Sequence, residues 1–497
     1  MPEAVILACD VGTSGVKCSM ITGKGDVLDS ETASYGTIYL PGGIAEQNPE
    51  DWWSSICKTV RLLAERNCAY VKSIAAIGVS GHMLGCVPVA EDGAALGNAM
   101  IHSDSRAWKQ FKRAAADIGA QQLYEMSGNV LDARSPLCKI LWIKENAPEI
   151  YKKTAKFLQS KDYVVSQLTG NIDTTDFSDA CHAELMDIRS RRYDERVFAE
   201  LGIDFSKLPQ LYKGCEIVGK TTPDAARQLG ILEGIPVIAG GGDGACGSLG
   251  SGNIAVDDAY LNLGTTAWIA RVSAEPVIDP QSRVFNIMNL DGESCSVYGT
   301  MQAAGGSVTW IQRLLDIGDL GELNRIANAV EPGCGGLVFL PYLDGERSPV
   351  FDARARGVFM GISQTHEQGH FARAVLEGVA YALKNLLEIF RERDPLPAIR
   401  AIGGGIKSEL WRGIIADVCR IRIHTLNVSA ADATSHGVAA AAGVGAGIFR
   451  DMREATSFIC VQDSVEPGEA CPAYERNYSV YSGLYASLKD AMHVLAD

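Results

Sequence analysis

No two cysteines in this chain stand in a CxxC spacing, and the fourteen cysteines show none of the paired spacing of a zinc ribbon. That scatter speaks against a disulfide scaffold and a structural zinc site. It fits a reduced, cytoplasmic protein whose thiols serve mostly as small core residues. Runs of lysine or arginine are missing too. With a net charge of −15 and a pI near 5.1, the chain has no basic face for nucleic acid. An anionic ligand would have to be held by local amides, a lysine and a metal, against the global field. Long apolar tracts are also absent. The longest, Gly437 to Phe449, falls short of the roughly 20 residues needed to span a bilayer, so no membrane partner is expected. It reads as a buried helix packed closely against a sheet. No basic segment precedes the first apolar run, which is only strand-length, so no leader is expected.

What is present is ordinary globular composition on a large scale. The 497 residues are 47% hydrophobic and 21% charged, with a mean hydropathy of +0.04, which predicts two or three domains with sizeable cores. The most informative stretch is Val5 to Ile21, an apolar run, then Asp10-Val-Gly12-Thr13-Ser14-Gly15-Val-Lys17, then a second apolar run. Short β-rich runs around a Gly-Thr-Ser-Gly turn predict a hairpin. Glycine allows close approach to a ligand, successive turn amides make an anion site, and Thr13, Ser14 and Lys17 add donors and a cation. Asp10 would repel phosphate unless a divalent cation lay between them.

Along the chain, Asn48-Pro49-Glu50-Asp51 opens a helix to about Arg66, with Trp52, Trp53, Ile56, Val60 and Leu63 on one stripe. A buried strand, Val71 to Ser80, ends at Gly81-His82-Met83-Leu84-Gly85, and Asn98 to His102 leads into Ser103-Asp104-Ser105-Arg106. Polar residues at strand ends are where α/β proteins place ligands. Pro236 to Ala239 is a strand running into the glycine-dense Gly240 to Gly252, read as tight packing and a domain hinge. The opening theme then returns as Ala259-Tyr-Leu-Asn-Leu-Gly264-Thr265-Thr266-Ala-Trp-Ile-Ala. A second phosphate hairpin implies two related domains facing one cleft. Further on come a Gly305-Gly306 link to a helix, a polar loop Asp344-Gly345-Glu346-Arg347-Ser348-Pro349, and a long helix from about Thr365 to Glu392. The strand Ala398 to Ile402 ends in Gly403-Gly404-Gly405, and a helix begins near Ser408. Tyrosines from Tyr474 to Tyr485 form a core-facing helical stripe.

Three literal motif matches mislead. Gly214 to Thr221 has the P-loop spelling, but its interior Cys-Glu-Ile-Val is strand-like and Thr222-Pro223 caps the next helix. Gly242-Asp-Gly244-Ala-Cys-Gly247 has the dinucleotide fingerprint, yet the place for a ribose-binding acid is taken by the second hairpin. His366-Glu367-Gln-Gly-His370 has the zincin spelling, but Thr365 and Gln368 read as a capping box and Gly369 weakens the helix. The constellation that remains suggests phosphoryl transfer, with Asp243 at a strand end able to accept a proton from a substrate hydroxyl.

At this point the chain resembles the FGGY family of carbohydrate kinases, within the sugar kinase/Hsp70/actin superfamily, with xylulokinases and their relatives the nearest members. The resemblance runs in order through DVGTSGVK at Asp10, GIAEQNPEDWW at Gly43, GVSGHMLG at Gly78, SPLCKILWIKEN at Ser135, AGGGDGACGSLGSG at Ala239, LNLGTT at Leu261, FLPYLDGERSP at Phe339, GVFMGISQTHEQGHFARAVLEG at Gly357 and GGGIKSELW at Gly403. It implies an α/β fold of two ribonuclease-H-like domains facing a central cleft, a sugar-binding domain at 1–252 and a nucleotide-binding domain at 253–497. It also implies ATP and Mg²⁺ as cofactors, a small sugar as substrate, and leaves a homodimer open. Carried over by position, Asp243 would be the general base and Asp10 would sit by Mg²⁺. Gly12, Thr13, Ser14 and Lys17 would hold the transferring phosphate, with Gly264 and Thr265 on its other side. Gly305, Gly404 and Gly405, with Ser408 nearby, would flank the nucleotide, and His82, Met83 and Asp104 would meet the sugar.

Two departures bear on the substrate. D-xylulokinases typically read Gln-Met-His-Gly where this chain reads His82-Met83-Leu84-Gly85, which puts D-xylulose itself in doubt. The Ser135 segment fits the family's first signature from Pro136 onward but departs just before it, at Arg134. The Arg-Glu pair that glycerol kinases use at the 82–85 turn is absent. The reading is an ATP-dependent kinase for a ketose or polyol, with ribulose, L-xylulose, fuculose, rhamnulose or a sugar acid as alternatives. A nucleotide-gated binding protein on the actin/Hsp70 plan is the competing class, and an NAD-dependent enzyme, resting on the Gly242 fingerprint, is a third.

Overall fold

A computed structural model describes residues 4–496. Its organisation is two large mixed sheets, each begun by one of the two hairpins. The first sheet contains β1 (Val5–Val11), β2 (Gly15–Thr22), β3 (Val27–Ser34), β4 (Ile74–Gly81), β5 (Ile217–Lys220) and β6 (Pro236–Ile238), in the order β5-β6-β4-β1-β2-β3. β1, β2 and β3 form an antiparallel meander, and β4 lies parallel to β1 and β6 parallel to β4. The second sheet contains β7 (Ala259–Leu263), β8 (Ala267–Ser273), β9 (Phe285–Met288), β10 (Cys295–Met301), β11 (Ala398–Ile402), β12 (Arg422–Leu426) and β13 (Val461–Val465), in the order β9-β10-β8-β7-β11-β12-β13. Here β7, β8 and β10 form the meander, β11 runs parallel to β7, and β12 parallel to β11. The shared order, a meander followed by parallel strands on the far side of its first member, makes the two halves versions of one plan. It is the outcome expected from the returning Gly-Thr turn.

The helices follow from local signals. α1 (Pro49–Arg66) is capped by Asn48, whose side chain accepts the Glu50 amide, and it carries acids in its first turn. Its stripe Trp52, Trp53, Ile56, Val60 and Leu63 is buried against β2 and β3, worth about 1.5–3 kcal/mol per large side chain. α2 (Pro136–Asn146), α3 (Ser160–Thr169) and the short α4 (Phe177–His182) form the far wall of the first half. Asp176 caps α4 by accepting the amides of Ser178 and Asp179.

The glycine-dense segment after β6 is a helix, α5 (Asp243–Gly250), where a hinge was expected. Helical glycine costs about 1 kcal/mol per residue relative to alanine, so packing has to supply the reason. A Cβ on Gly250 would lie 1.7 Å from the Ala433 carbonyl oxygen, and one on Gly437 would lie 1.8 Å from that of Cys246. These glycines let α5 meet a late helix backbone to backbone. In the second half, α6 (Gly305–Leu315), α7 (Gln368–Arg391) and α8 (Glu409–Cys419) cover the sheet. The late helix is α9 (Ala430–Gly445), the predicted small-residue helix; it packs on α5 and also on β1 and β4 of the first sheet. α10 (Pro472–Ala496) buries Tyr474, Tyr478 and Tyr481, as the stripe predicted.

The misleading motifs resolve as read, with one correction. The P-loop spelling is strand β5, and Thr222 caps the next helix. The cap of α7 is Glu367, paired with His370, not Thr365 with Gln368. His370 Nδ1 accepts the Glu367 amide and His366 Nδ1 accepts that of Ser363, so both Nδ1 atoms are spent on local backbone. Among the described residues no helix is long and apolar enough to cross a membrane.

Candidate active site

Two cavities meet between the halves. The first, of about 410 Å³, is lined by Thr13 from the β1–β2 turn, His82, Met83 and Leu84 after β4, Arg134, Asp243 at the start of α5, and Tyr298 and Arg347 from the second half, among others. The second, of about 600 Å³, is lined by Ile402, Gly403, Gly404, Lys407, Arg412 and the 425–431 segment. Ile402 and Ala430 border both, so the two spaces adjoin where α9 begins. The Ser429 side chain does not cap that helix, which leaves its first amides to the boundary.

Asp243 is the first residue of α5, with Gly242 as cap. The Gly242 amide donates to Ser178 Oγ at 3.0 Å, and Met83 packs where a Gly242 Cβ would stand, 2.6 Å away. Asp243 Oδ1 accepts the Gly244 amide at 2.8 Å, and no protein group bonds Oδ2. The carboxylate is reachable from the cleft, but the cleft walls crowd it. Although Asp243 itself is exposed to the cleft, the loss of bulk water between those walls, then the charge of Asp10, pushes its pKa up to about 7 against the Gly244 hydrogen bond. Asp10, at the end of β1, is pushed up to about 6, chiefly by burial, with the Ser80 hydroxyl and Lys17 pulling the other way. Its Oδ1 is buried without a hydrogen-bond partner. Two carboxylates, Asp243 raised in part by the charge of Asp10 and Asp10 with an orphaned oxygen, are a donor set suited to a divalent cation that keeps most of its waters.

His82 is 2% exposed, and neither ring nitrogen has a partner. Burial first, then His102 and Lys139, pushes it down to about 3, so it faces the cavity as a neutral imidazole. Its loop is fixed by the His82 amide donating to the Val11 carbonyl at 2.9 Å, Ser160 Oγ to the His82 carbonyl at 2.8 Å, and Lys139 Nζ to the Leu84 carbonyl at 2.6 Å. Leu84 takes a φ of 61°, which turns its side chain into the cavity wall.

Several residues expected at the ligands are engaged elsewhere. Asp104 is fully buried; its Oδ2 accepts the Ala45 amide at 2.8 Å and pairs with Arg106 at 2.6 Å, and it does not line the cavity. Ser408 caps α8 and donates to Asn324 at 3.0 Å, so its hydroxyl is not turned to the second cavity. Gly405 is packed on Leu263 and Trp411, whereas Gly404 lines the second cavity with open space where a Cβ would be. Gly264 and Thr265 receive the amides of Ala304, Gly305 and Gly306 at 2.9 Å each, which docks the second hairpin on α6. Gly12 and Ser14 flank Thr13 in the first turn, held by the Gly12 amide to the Gly15 carbonyl at 3.0 Å. Lys17 reaches across to α9, to Asp432 and Ala431. Sequence reasoning passed over His102, Asn129, Asp132, His182, Glu184, Phe285 and Tyr298 as cavity wall. None of these stands in a motif; Arg134 had a signal as a departure from an otherwise matching signature, and Arg347 as a member of the polar loop Asp344 to Pro349.

Comparison with known proteins agrees with this geometry. The model of the FGGY family of carbohydrate kinases matches in both parts, its N-terminal domain over residues 5–250 and its C-terminal domain over residues 259–446. The chain belongs to that family. The xylulose kinase of Bacillus subtilis (strain 168) is 32% identical over 489 residues, covering 98% of this chain and 97% of that protein. A ligand-bound xylulose kinase from Lactobacillus acidophilus superposes with a TM-score of 0.92 at 25% identity, covering 98% of each chain. Gluconate kinase from Lactobacillus acidophilus superposes equally well, with a TM-score of 0.92 at 26% identity and 98% of each chain covered. This FGGY protein is therefore an ATP-dependent sugar kinase on the two-domain plan of the sugar kinase/Hsp70/actin superfamily, and the family implies a divalent metal.

Proposed function

We propose that the kinase transfers the γ-phosphoryl group of ATP to a hydroxyl of an open-chain sugar, a ketose or polyol derivative, with Asp243 as the general base. The observation that carries this is the placement of Asp243 at the foot of the first cavity, one oxygen held by Gly244 and the other unbonded. A carboxylate titrating near 7 accepts a proton readily at neutral pH and gives it up after transfer. In this reading His82 meets a sugar hydroxyl as donor or acceptor, and Met83 holds Gly242 and so the register of α5. Asp104 acts from behind, through Arg106 and the Ala45 amide. Thr13 and the free amides of α9 steady the phosphoryl group as it passes between cavities. The second cavity, with Gly404 as an open wall, takes the nucleotide. Asp10, with Asp243, would hold Mg²⁺ through water, and the ion when bound would neutralise charge on the phosphates. Residues 1–252 then serve mainly the sugar and residues 253–497 the nucleotide, although both halves wall the sugar cavity.

D-xylulose is a poor candidate, because Leu84 stands where the resemblance to D-xylulokinases implies a histidine that would meet a sugar hydroxyl. The test is Asp243→Ala. Nucleotide binding should persist and sugar-dependent ADP release should fall by about 10²–10⁴-fold. Full turnover by that variant would remove Asp243 from the role of base. ATP hydrolysis with no acceleration by any sugar would favour the nucleotide-gated binding protein instead.

A further inference from the structure

Resting on the kinase reading above, the geometry points to a substrate that is itself an anion: we infer that the acceptor is a sugar acid, its carboxylate gripped between Arg347 and Arg134 in the wall of the first cavity. Both guanidinium groups line the first cavity, one from each half of the protein. Arg347 Nε donates to Gln302 Oε1 at 2.9 Å, which aims the fork, and its two terminal nitrogens have no hydrogen-bond partner among the described residues. Arg134 is paired with Asp132 through Nε at 2.9 Å and through Nη2, leaving Nη1 free.

Among the described residues, no second carboxylate is hydrogen-bonded to either guanidinium. Glu346, next in sequence to Arg347, spends one oxygen on the amides of Gln302 and Arg347, both at 2.7 Å, and burial pushes its pKa up to about 8. Glu184, also in the wall, is pushed well above its ordinary value by burial. His82, His102 and His182 are pushed down to about 3, 4 and 4, burial being the first cause in each. They are neutral donors and acceptors at pH 7. Lys139 lies beneath the same loop. Among the described residues, the one carboxylate bonded to either guanidinium is Asp132, on Arg134. Arg347 is depressed by burial and then by Arg134, so the two cations sense one another. Like charges set together in a cleft with an open fork between them are what an anion resolves.

Arg134 is also the position at which this chain departs from the family signature it otherwise resembles. The carboxylate is a spectator in the chemistry. The hydroxyl oxygen still attacks the γ-phosphorus, its proton goes to Asp243, and ADP leaves. A neutral sugar of the same length would leave both forks unanswered, and sites built to bond a group discriminate strongly against its absence.

The experiment is a coupled ADP-release panel on the full-length protein, in matched pairs of equal carbon number: each aldonate or keto-aldonate beside its alditol and its ketose. The acid should exceed its neutral partners by 10²-fold or more in kcat/KM. Arg347→Met should collapse that ratio at least tenfold, mainly through KM for the acid, with Arg347→Lys restoring part of it. Arg134→Met should lower the ratio in the same direction. Nucleotide binding, followed separately, reports whether each variant is folded. A neutral ketose used as well as every acid overturns the inference and leaves the kinase reading standing, as does a ratio unmoved by Arg347→Met. ADP release with no sugar of either kind overturns both.

Discussion

Lys17 Nζ donates to Asp432 Oδ1 at 2.5 Å and to the Ala431 carbonyl at 3.0 Å, so the first hairpin is tied to the first turn of a helix 415 residues further on. Burial pushes Asp432 up, but bonds from Lys17 and Ser429 outweigh it and hold the carboxyl below its ordinary value. Both partners are part-exposed, so the pair itself contributes about 0.5 kcal/mol. Its interest is positional, because the same ammonium was expected on the transferring phosphate. If Lys17 exchanges Asp432 for phosphate when nucleotide binds, Lys17→Met raises KM for ATP while Asp432→Asn lowers it. Thermal melts should show small, non-additive losses for the two changes. Equal shifts of KM in one direction would make the pair a static tie.

Asp243 predicts a pH signature with a definite sign. As a base it must be ionised, so kcat/KM should rise with pH and level off above about 7, and Asp243→Asn should lose that limb with the activity. The same group bears on stability. Its folded pKa lies above the ordinary 3.8, so the folded protein binds the proton more tightly than the unfolded chain. The unliganded wild type is therefore at its relative best below about pH 4 and loses ground to Asp243→Asn as pH climbs towards 7. Melting curves of both proteins at pH 4.5 and pH 8 check this; a gap that shrinks on going to pH 8 contradicts it.

The contact of α5 with α9 leaves no room for a methyl group. Gly437→Ala would drive a Cβ into the Cys246 carbonyl, and Gly250→Ala one into that of Ala433. Neither obstacle is a flexible side-chain end, so each change should cost at least the 1–3 kcal/mol typical of overpacking. Because α5 begins at Asp243, activity should fall further than the loss of folded protein explains. Gly404→Ala, with nothing near its Cβ, is the control and should leave stability within about 0.5 kcal/mol.

Ser178 holds the Gly242 amide, and its helix is set by the buried cluster around Lys161 Nζ, which lies 3.0 Å from Asp176 and 3.2 Å from Asp179 and also pairs with Asp162. Ser178→Ala frees the amide that orients Asp243. A fall of about tenfold in kcat with unchanged KM for ATP is expected, and Ser178→Thr should recover most of it. Lys161→Met should instead destabilise the protein by about 3–5 kcal/mol, since it leaves buried carboxylates without their cation. A Ser178→Ala variant that loses stability but keeps kcat would make this contact purely structural.

Local physics made much of this protein legible. The two Gly-Thr hairpins, the Asn48-Pro49 start of α1, the tyrosine stripe of α10 and the small-residue helix α9 all announce themselves by spacing and caps, because each is decided by neighbours within a turn or a strand. Asp10, Thr13, His82, Met83 and Asp243 could be named for the same reason: they stand at strand ends or beside glycine turns. At Gly240 to Gly252 the tight packing was legible but the helix was not, because glycine's weak helix propensity is local, while the contact with Ala433 and Gly437 that makes the segment a helix is not. Asp104 and Ser408 look like ligand residues in sequence and become a buried ion pair and a helix cap once Arg106 and Asn324 arrive beside them. The sequence alone thus determined the two-lobed plan and the phosphoryl chemistry, since both are written in short periodic signals. Tertiary structure alone decided which side chains wall the sugar cavity. Arg134 and Arg347 come from opposite halves, and only chain folding, with the burial that silences the acids and histidines around them, turns two unrelated arginines into one unmet positive charge.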